Sequence, residues 1–241
     1  MKESLEPIQL ERLAIILLPV ALVVFIHIRW KTKPLNSIYA IARMLLQLTL
    51  IGYILTYIFE LHKAWIIIVV LAVMTSAASI IAIRTVSNKM PKIYLYAFIS
   101  LVTGGGIVLF ISTQLVLQLE PWFFPRYFVP LAGMTFANAM TSISLAAERF
   151  ESELKTGKSF SQIRAQAYKA ALIPVTNSLF AVGLVSIPGM MTGQILSGIS
   201  PLIAARYQVM IMCMVYASAG LTTAIFLTLF KKESINSIKG S

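Results

Sequence analysis

The chain has 241 residues, of which 58% are hydrophobic and 12% charged, and its formal net charge is +11. Soluble domains carry about a quarter of charged residues, so this composition excludes an ordinary soluble protein and indicates a polytopic membrane protein. All nine acidic residues are glutamates, each at or near the end of an apolar run. The basic residues lie in short connections between those runs, which reflects membrane topology rather than nucleic-acid binding.

Seven apolar runs are long enough to cross a bilayer core about 30 Å thick, which requires roughly 20 residues per helix. The sequence therefore predicts an all-α transmembrane helical bundle that forms a single domain over residues 1–241. The predicted spans are residues 10–28, 35–59, 64–83, 93–117, 127–147, 169–187 and 203–230.

Basic side chains are concentrated in every second connection. They are Arg29, Lys31 and Lys33 after the first span, Arg84, Lys89 and Lys92 after the third, Arg149, Lys155, Lys158 and Arg164 after the fifth, and Lys231, Lys232 and Lys239 in the tail. The positive-inside rule then predicts an N-terminus outside and a C-terminus in the cytoplasm.

Two outer connections have unusual compositions. Residues 118–128 are nearly neutral and aromatic, which is typical of headgroup anchoring at the interface; a substrate gate is the alternative. Residues 188–201 are apolar but rich in Gly, Pro and Ser, which predicts a re-entrant or interfacial segment rather than a regular span.

The sequence lacks the residues that several functions of membrane proteins require. The last span contains no lysine for a retinal Schiff base, and His27 and His62 sit at helix ends, far from where ion relays belong. Gly157-Lys158-Ser159 resembles part of a phosphate-binding loop, but Ser152 replaces the required glycine. We therefore expect no ATPase, no catalytic residues and no cofactor or metal site, and one cysteine allows no internal disulfide.

Polar residues inside the spans fall into three groups, which are Arg43 with Gln47, Thr135 with Asn138 and Ser142, and Asn177 with Ser178. Arg43 could snorkel to the cytoplasmic surface, line a pore or contact another helix. The other groups are typical of helix packing, with a translocation path as the sharper alternative. The candidate points of flexure are Pro174, Gly183, Pro188 and Gly189, since Pro and Gly disrupt the helical hydrogen-bond ladder.

Methionines cluster at Met190-Met191 and at Met210, Met212 and Met214. Thioethers can bind soft metals, but in a chain this apolar they are more typical of core filling.

The connection at residues 148–168 is the longest polar segment and a candidate coupling loop for an ATPase. Glu151 and Gly157 are six apart, as in the degenerate E-A-A-x-x-x-G loop of many ABC importer permeases, although Ser152 and Glu153 replace both alanines. We single out Glu151, Glu153, Gly157 and Arg164 as candidate coupling residues. A solvated charged loop explains the same pattern.

A longer pattern resembles the FetB family of ABC transporter permeases along nearly the whole chain. The matching segments are Arg43, Leu46-Gln47, Gly52-Tyr53, Ala132-Gly133-Met134, Asn138-Ala139-Met140, residues 170–174, residues 182–193, and Tyr207-Gln208. The family includes bacterial permeases implicated in iron export and plant relatives implicated in aluminium tolerance. Ala137 and Asn177 depart from its pattern, where members often have a glycine and an acid.

The resemblance implies a multi-pass permease that exports iron or another metal. It also implies a place in the plasma membrane, here the inner membrane of a bacterial cell. It also implies a separate FetA-like ATPase subunit and a second copy of the chain as partners. From the residues alone, a channel or uniporter, a secondary transporter and a non-transporting interaction protein remain open.

Overall fold

The computed structural model describes residues 8–32, 34–60, 63–84, 86, 91–154 and 156–239, without the side chains of Leu10 and residues 231–239. Lys33, His62, Lys89 and Lys155, named above, lie outside the described residues, and the tail lysines lie among the undescribed side chains. The chain forms two compact units, Met1–Glu60 and Leu61–Ser241. That both belong to one permease domain stays a prediction.

The first unit contains α1 (Leu10–Ile15), α2 (Leu17–Arg29) and α3 (Pro34–Glu60). Proline is favoured at the first helical position because its missing N–H needs no partner there. A compact turn ends α2, in which the Thr32 backbone N–H donates to the His27 carbonyl at 2.9 Å. The Thr32 hydroxyl also lies 2.6 Å from Nδ1 of His27.

The second unit holds seven α-helices and two π-helical turns among its described residues. These are α4 (Ala64–Ala82), α5 (Pro91–Ser100), a π-turn (Leu101–Gly105), α6 (Gly106–Phe110), a π-turn (Ile111–Val116), α7 (Pro125–Leu154), α8 (Phe160–Ala181), α9 (Gly189–Leu196) and α10 (Pro201–Lys239). The run from α5 to the second π-turn is a single continuous helix, because each π-turn only widens the coil locally.

Six helices of the described chain are long and apolar enough to cross a membrane, which confirms an all-helical, multi-pass architecture. They are Glu11–Arg29, Pro34–Glu60, Ala64–Ala82, Pro91–Val116, Pro125–Leu154 and Pro201–Phe230. The sequence predicted about seven. The difference is α8, whose first half carries Gln162, Arg164 and Lys169 and so dilutes its hydropathy.

Aromatic contacts nevertheless fix the direction of α8. Phe150, near the end of α7, contacts both Phe160 at the start of α8 and Phe230 near the far end of the apolar part of α10. The ends of α7 and α10 thus lie together, so the chain must run back along the bundle between them. With 22 residues, α8 is about 33 Å long, enough for that return.

The structure corrects the predicted bounds in this region. The predicted coupling loop at residues 148–168 is mostly helical, because α7 continues to Leu154 and α8 begins at Phe160. The span predicted at residues 169–187 ends earlier, at Ala181, where the chain turns through Gly183 at φ +84°. Residues 188–201, predicted to be a re-entrant or interfacial segment rather than a regular span, contain the short helix α9, and their place in the membrane stays a prediction.

The core of the second unit lies where α7 packs against α4, α8 and α10. Small side chains permit this close packing, and hydroxyls bridge the helices. The Ser144 hydroxyl donates to the Ala82 carbonyl of α4 at 2.7 Å, and the Ser218 hydroxyl of α10 donates to the Thr135 carbonyl at 3.5 Å. The aromatic contacts of Phe150 with Phe160 and Phe230 bring one end of α7, α8 and α10 together, and the candidate site lies at that end.

Candidate functional site

The junction between α7 and α8 is a tight turn defined by its own side chains. Ser159 caps α8, since its hydroxyl accepts from the Gln162 N–H at 3.4 Å while the Gln162 side chain accepts from the Ser159 N–H at 3.1 Å. This reciprocal capping box satisfies two backbone donors that a helix start leaves free. Gly157 adopts φ +70°, which a glycine takes without the penalty of a side chain.

Glu153 is the centre of the junction. Only 4% of it is exposed, and its carboxylate pairs with Arg149 at 2.5 Å and Lys158 at 2.8 Å. The Gln166 amide nitrogen, in the orientation that a carboxylate neighbour requires, donates to it at 2.8 Å. The Thr156 hydroxyl donates to the Glu153 backbone carbonyl at 2.7 Å. One side chain thus connects the last turn of α7, the turn itself and the second turn of α8.

An aromatic cluster lies beneath these polar contacts. Phe150 is fully buried and meets Phe160 and Phe230 edge to face, with ring centroids 5.8 and 5.2 Å away. Phe226 stacks on Phe230 at 5.3 Å. Such pairs add to the energy of simple burial, so α10 is held to the same junction.

The predicted coupling residues occupy different places in this arrangement. Glu153 and Gly157 form the junction, and the Arg164 guanidinium lies 5.9 Å from the Phe160 ring centroid, a cation–π distance. Glu151 is half-buried on α7. It lies on a different face from Glu153, because residues two apart on a helix do not share a face. The junction could pass a force on its exposed turn to three helices as one body, and that role stays a prediction.

The predicted pathway residues lie on three helices, and their role stays a prediction. Asn138 and Ser142 lie on α7, half-buried and buried, and the Asn138 amide donates to the Met134 carbonyl of its own helix at 2.8 Å. Asn177 and Ser178 are exposed on α8. Arg43 and Gln47 are exposed on α3, four residues apart and on one face.

The predicted points of flexure bracket the chain between α8 and α9. Pro174 lies inside α8, and its carbonyl accepts from the Ser178 hydroxyl at 3.0 Å. Gly183 lies in the turn that follows α8, where its N–H donates to the Ser186 carbonyl at 3.0 Å. Pro188 caps α9 and Gly189 begins it. Their movement stays a prediction.

Two of the cavities in the second unit lie between its helices. One of about 620 Å³, between α4, the α5–α6 helix and α7, is almost entirely apolar. The other, of about 450 Å³, lies where α8 ends beside α9 and α10, and its wall includes Gln208, Met191, Met212 and Cys213. The sequence pattern singled out the methionines but did not predict that Met191 and Met212 line one cavity, since no local signal shows that α9 folds back onto α10.

Within the described part of the chain, no three His, Cys, Asp or Glu side chains come together as a metal site. The chemistry available is therefore that of hydroxyls, amides and sulfur atoms within the bundle, together with the ion pairs of the junction.

Long apolar helices and a polar junction at one end define a multi-pass membrane protein. The model of the uncharacterised protein family UPF0014 matches residues 10–235, and the chain belongs to this family. The resemblance to FetB-like proteins predicted from the sequence is thereby confirmed.

Relatives from bacteria and plants agree. The chain is 34% identical to a UPF0014 membrane protein of Synechocystis sp., over 85% of this chain and 86% of that protein. It is 32% identical to the Probable iron export permease protein FetB of Escherichia coli, over 94% of this chain and 92% of that protein. It is also 34% identical to the Protein ALUMINUM SENSITIVE 3 of Arabidopsis thaliana, over 76% and 71%. No solved structure matches the chain.

Proposed function

We propose that this chain is the transmembrane permease subunit of an ABC exporter for iron or another metal, driven by a separate ATPase subunit. The relative in Escherichia coli is described as a probable iron export permease, and 92% of its length is covered here. The chain would act as a homodimer in the plasma membrane and have no ATPase activity of its own.

The observation that carries this proposal is the Glu153 junction. ATP binding brings two ATPase subunits together, and a permease needs a rigid surface to receive that movement. The turn at residues 156–159 offers such a surface, because Lys158 and Gly157 are exposed while Glu153 and Phe150 anchor them from below. The ion pairs and aromatic contacts then make α7, α8 and α10 respond together.

Charge supports an external energy source. The nine acidic residues of the chain all lie near the ends of apolar runs, and a buried carboxylate or histidine is the usual relay of ion-coupled transporters. A permease without such relays requires energy from a nucleotide-hydrolysing partner.

The test is metal flux in proteoliposomes containing the chain and its ATPase, with the ATPase facing outward. We expect uptake of radioactive Fe(II) that requires ATP and stops with a hydrolysis-deficient ATPase. Flux without the ATPase would identify a channel or uniporter, and flux abolished by collapsing a proton or sodium gradient would identify a secondary transporter. Specific binding to the ATPase with no flux of iron, other metals or an organic solute would leave an interaction protein.

A further inference from the structure

The 450 Å³ cavity beside α9 contains a buried acceptor without a donor. Gln208 is 5% exposed and lines this cavity, yet no described residue donates a hydrogen bond to its side-chain oxygen. A buried carbonyl oxygen normally finds a partner, and one that lacks it suggests a ligand or ion. The residue borders enough space for one, but its oxygen is itself shielded, so the amide must rotate to present the oxygen to the cavity.

Sulfur atoms supply the rest of the polar wall. Met212 follows Gln208 by one helical turn and so shares its face of α10, with Cys213 beside it. Met191 comes from the opposite wall, on α9, and all three residues line the same cavity. Residues that carry two thioethers and a thiol therefore line one cavity from two helices.

The turn between α8 and α9 positions Met191 on the wall of this cavity. Gly183 at φ +84° reverses the chain, and the Val185 N–H closes the turn by donating to the Ala181 carbonyl at 2.8 Å. Pro188 then starts α9, and its carbonyl accepts from the Thr192 N–H at 3.0 Å. Met191 thus sits in the first turn of a helix that packs on α10.

The cavity wall contains no carboxylate and no imidazole among the described residues. Hard divalent cations such as Mg²⁺ prefer oxygen ligands with negative charge, whereas thiols and thioethers select soft cations such as Cu(I). A monovalent soft ion also needs less charge compensation in an apolar wall than a divalent one. The side chains of the cavity wall therefore favour soft cations over hard ones.

We propose that this cavity binds one soft monovalent cation, Cu(I) or Ag(I), through the sulfur atoms of Met191, Met212 and Cys213, with the Gln208 oxygen as an additional ligand. On binding, the Cys213 thiol releases its proton to solvent, and the thiolate neutralises the cation. That the bound cation is cargo rests on the proposed function, whereas binding itself is a property of this chain alone.

Cys213 is the single cysteine of the sequence, so its alkylation reports the site directly. The purified full-length chain in detergent would be titrated anaerobically with Cu(I) against a competing chelator of known affinity. Saturation at one equivalent, with matching protection of Cys213 from a maleimide, is expected. Fe(II) and Mg²⁺ at the same concentrations should not protect it.

The variants Met191→Leu and Met212→Leu keep the apolar volume and remove one thioether each. Because loss of even an outer partner of a metal ligand costs about 10–100-fold in affinity, we expect each to weaken Cu(I) binding at least about tenfold. Met210→Leu is the matched control, since Met210 is on α10 but does not line the cavity, and it should bind as the unaltered chain does. Circular dichroism and gel filtration would confirm that each variant folds.

Unchanged affinity in both methionine variants would mean that an isolated thiol binds the metal, and the proposal would be wrong. No Cu(I) binding by the unaltered chain would overturn it equally, even if ATP-driven iron flux were found, in which case the proposed function would stand alone. Binding that meets the expectations but no ATP-driven flux of Cu(I), Ag(I) or iron would support the site and contradict the exporter.

Discussion

Gly104 packs directly against the backbone of Thr222. A Cβ atom on Gly104 would lie 2.8 Å from both the backbone nitrogen and the Cα of Thr222, which is closer than any side chain tolerates. The π-turn at Leu101–Gly105 of the α5–α6 helix and the middle of α10 therefore touch through their main chains. This contact joins the α5–α6 helix to α10.

Gly104→Ala is expected to destabilise the chain because backbone atoms, unlike a flexible side chain, cannot move aside. Overpacking of this kind costs about 1–3 kcal/mol, which corresponds to a melting temperature lower by about 2–4 °C per kcal/mol for a chain of this length. Thermal unfolding in detergent would measure it.

Gly106→Ala is the control, because a Cβ there meets nothing within 4 Å. Alanine favours a helix over glycine by about 1 kcal/mol, so this variant should melt at the same temperature or higher. Equal melting temperatures for both variants would show that the contact at Thr222 is not close in the membrane protein.

Glu153→Gln tests the junction. The amide still accepts hydrogen bonds but cannot neutralise Arg149 and Lys158, which are themselves partly exposed, so the loss of stability should be small. The effect on ATP-driven flux should be larger than the effect on melting, because the junction would transmit force less rigidly. Flux and melting temperature measured on the same preparation would separate the two.

Ser152→Ala is the matched control for that variant, since Ser152 is exposed one residue before Glu153. It should leave both flux and melting temperature unchanged. If Glu153→Gln retained full ATP-driven flux, the junction would have only a structural role.

Gly157 tests the turn through its backbone alone. Nothing lies within 4 Å of a Cβ at this position, but its φ of +70° is strained for other residues. Gly157→Val should cost about 1–2 kcal/mol, whereas Gly157→Asn should cost less, because asparagine tolerates the left-handed region. Chemical denaturation of both variants gives this order, and a reversed order would mean that the turn has another conformation.

The sequence predicted most of the fold because an apolar run of the right length has few alternatives to a transmembrane helix. The start of α8 was missed although Ser159 and Gln162 carry the spacing of a capping box, because the surrounding charges favoured a loop. Glu153, Gly157 and Arg164 were singled out as candidate coupling residues, a role that stays a prediction, whereas the ion pairs around Glu153 were not predicted. The aromatic anchor and the cavity at Gln208 depend on contacts between distant segments, which local patterns do not encode.

Membrane topology is the last prediction, and it decides whether α8 crosses. If Phe150, Phe160 and Phe230 lie at the cytoplasmic end, Ser152 in the last turn of α7 faces the cytoplasm and Ser197, after α9, faces outside. With Cys213→Ser as background, Ser152→Cys and Ser197→Cys should react with a membrane-impermeant maleimide from opposite sides. Both introduced thiols are placed at exposed serines, so burial would not hide them. Labelling of both from one side would mean that α8 does not span the bilayer, and the contact of Phe150 with Phe230 could then not form with α10 crossing the membrane.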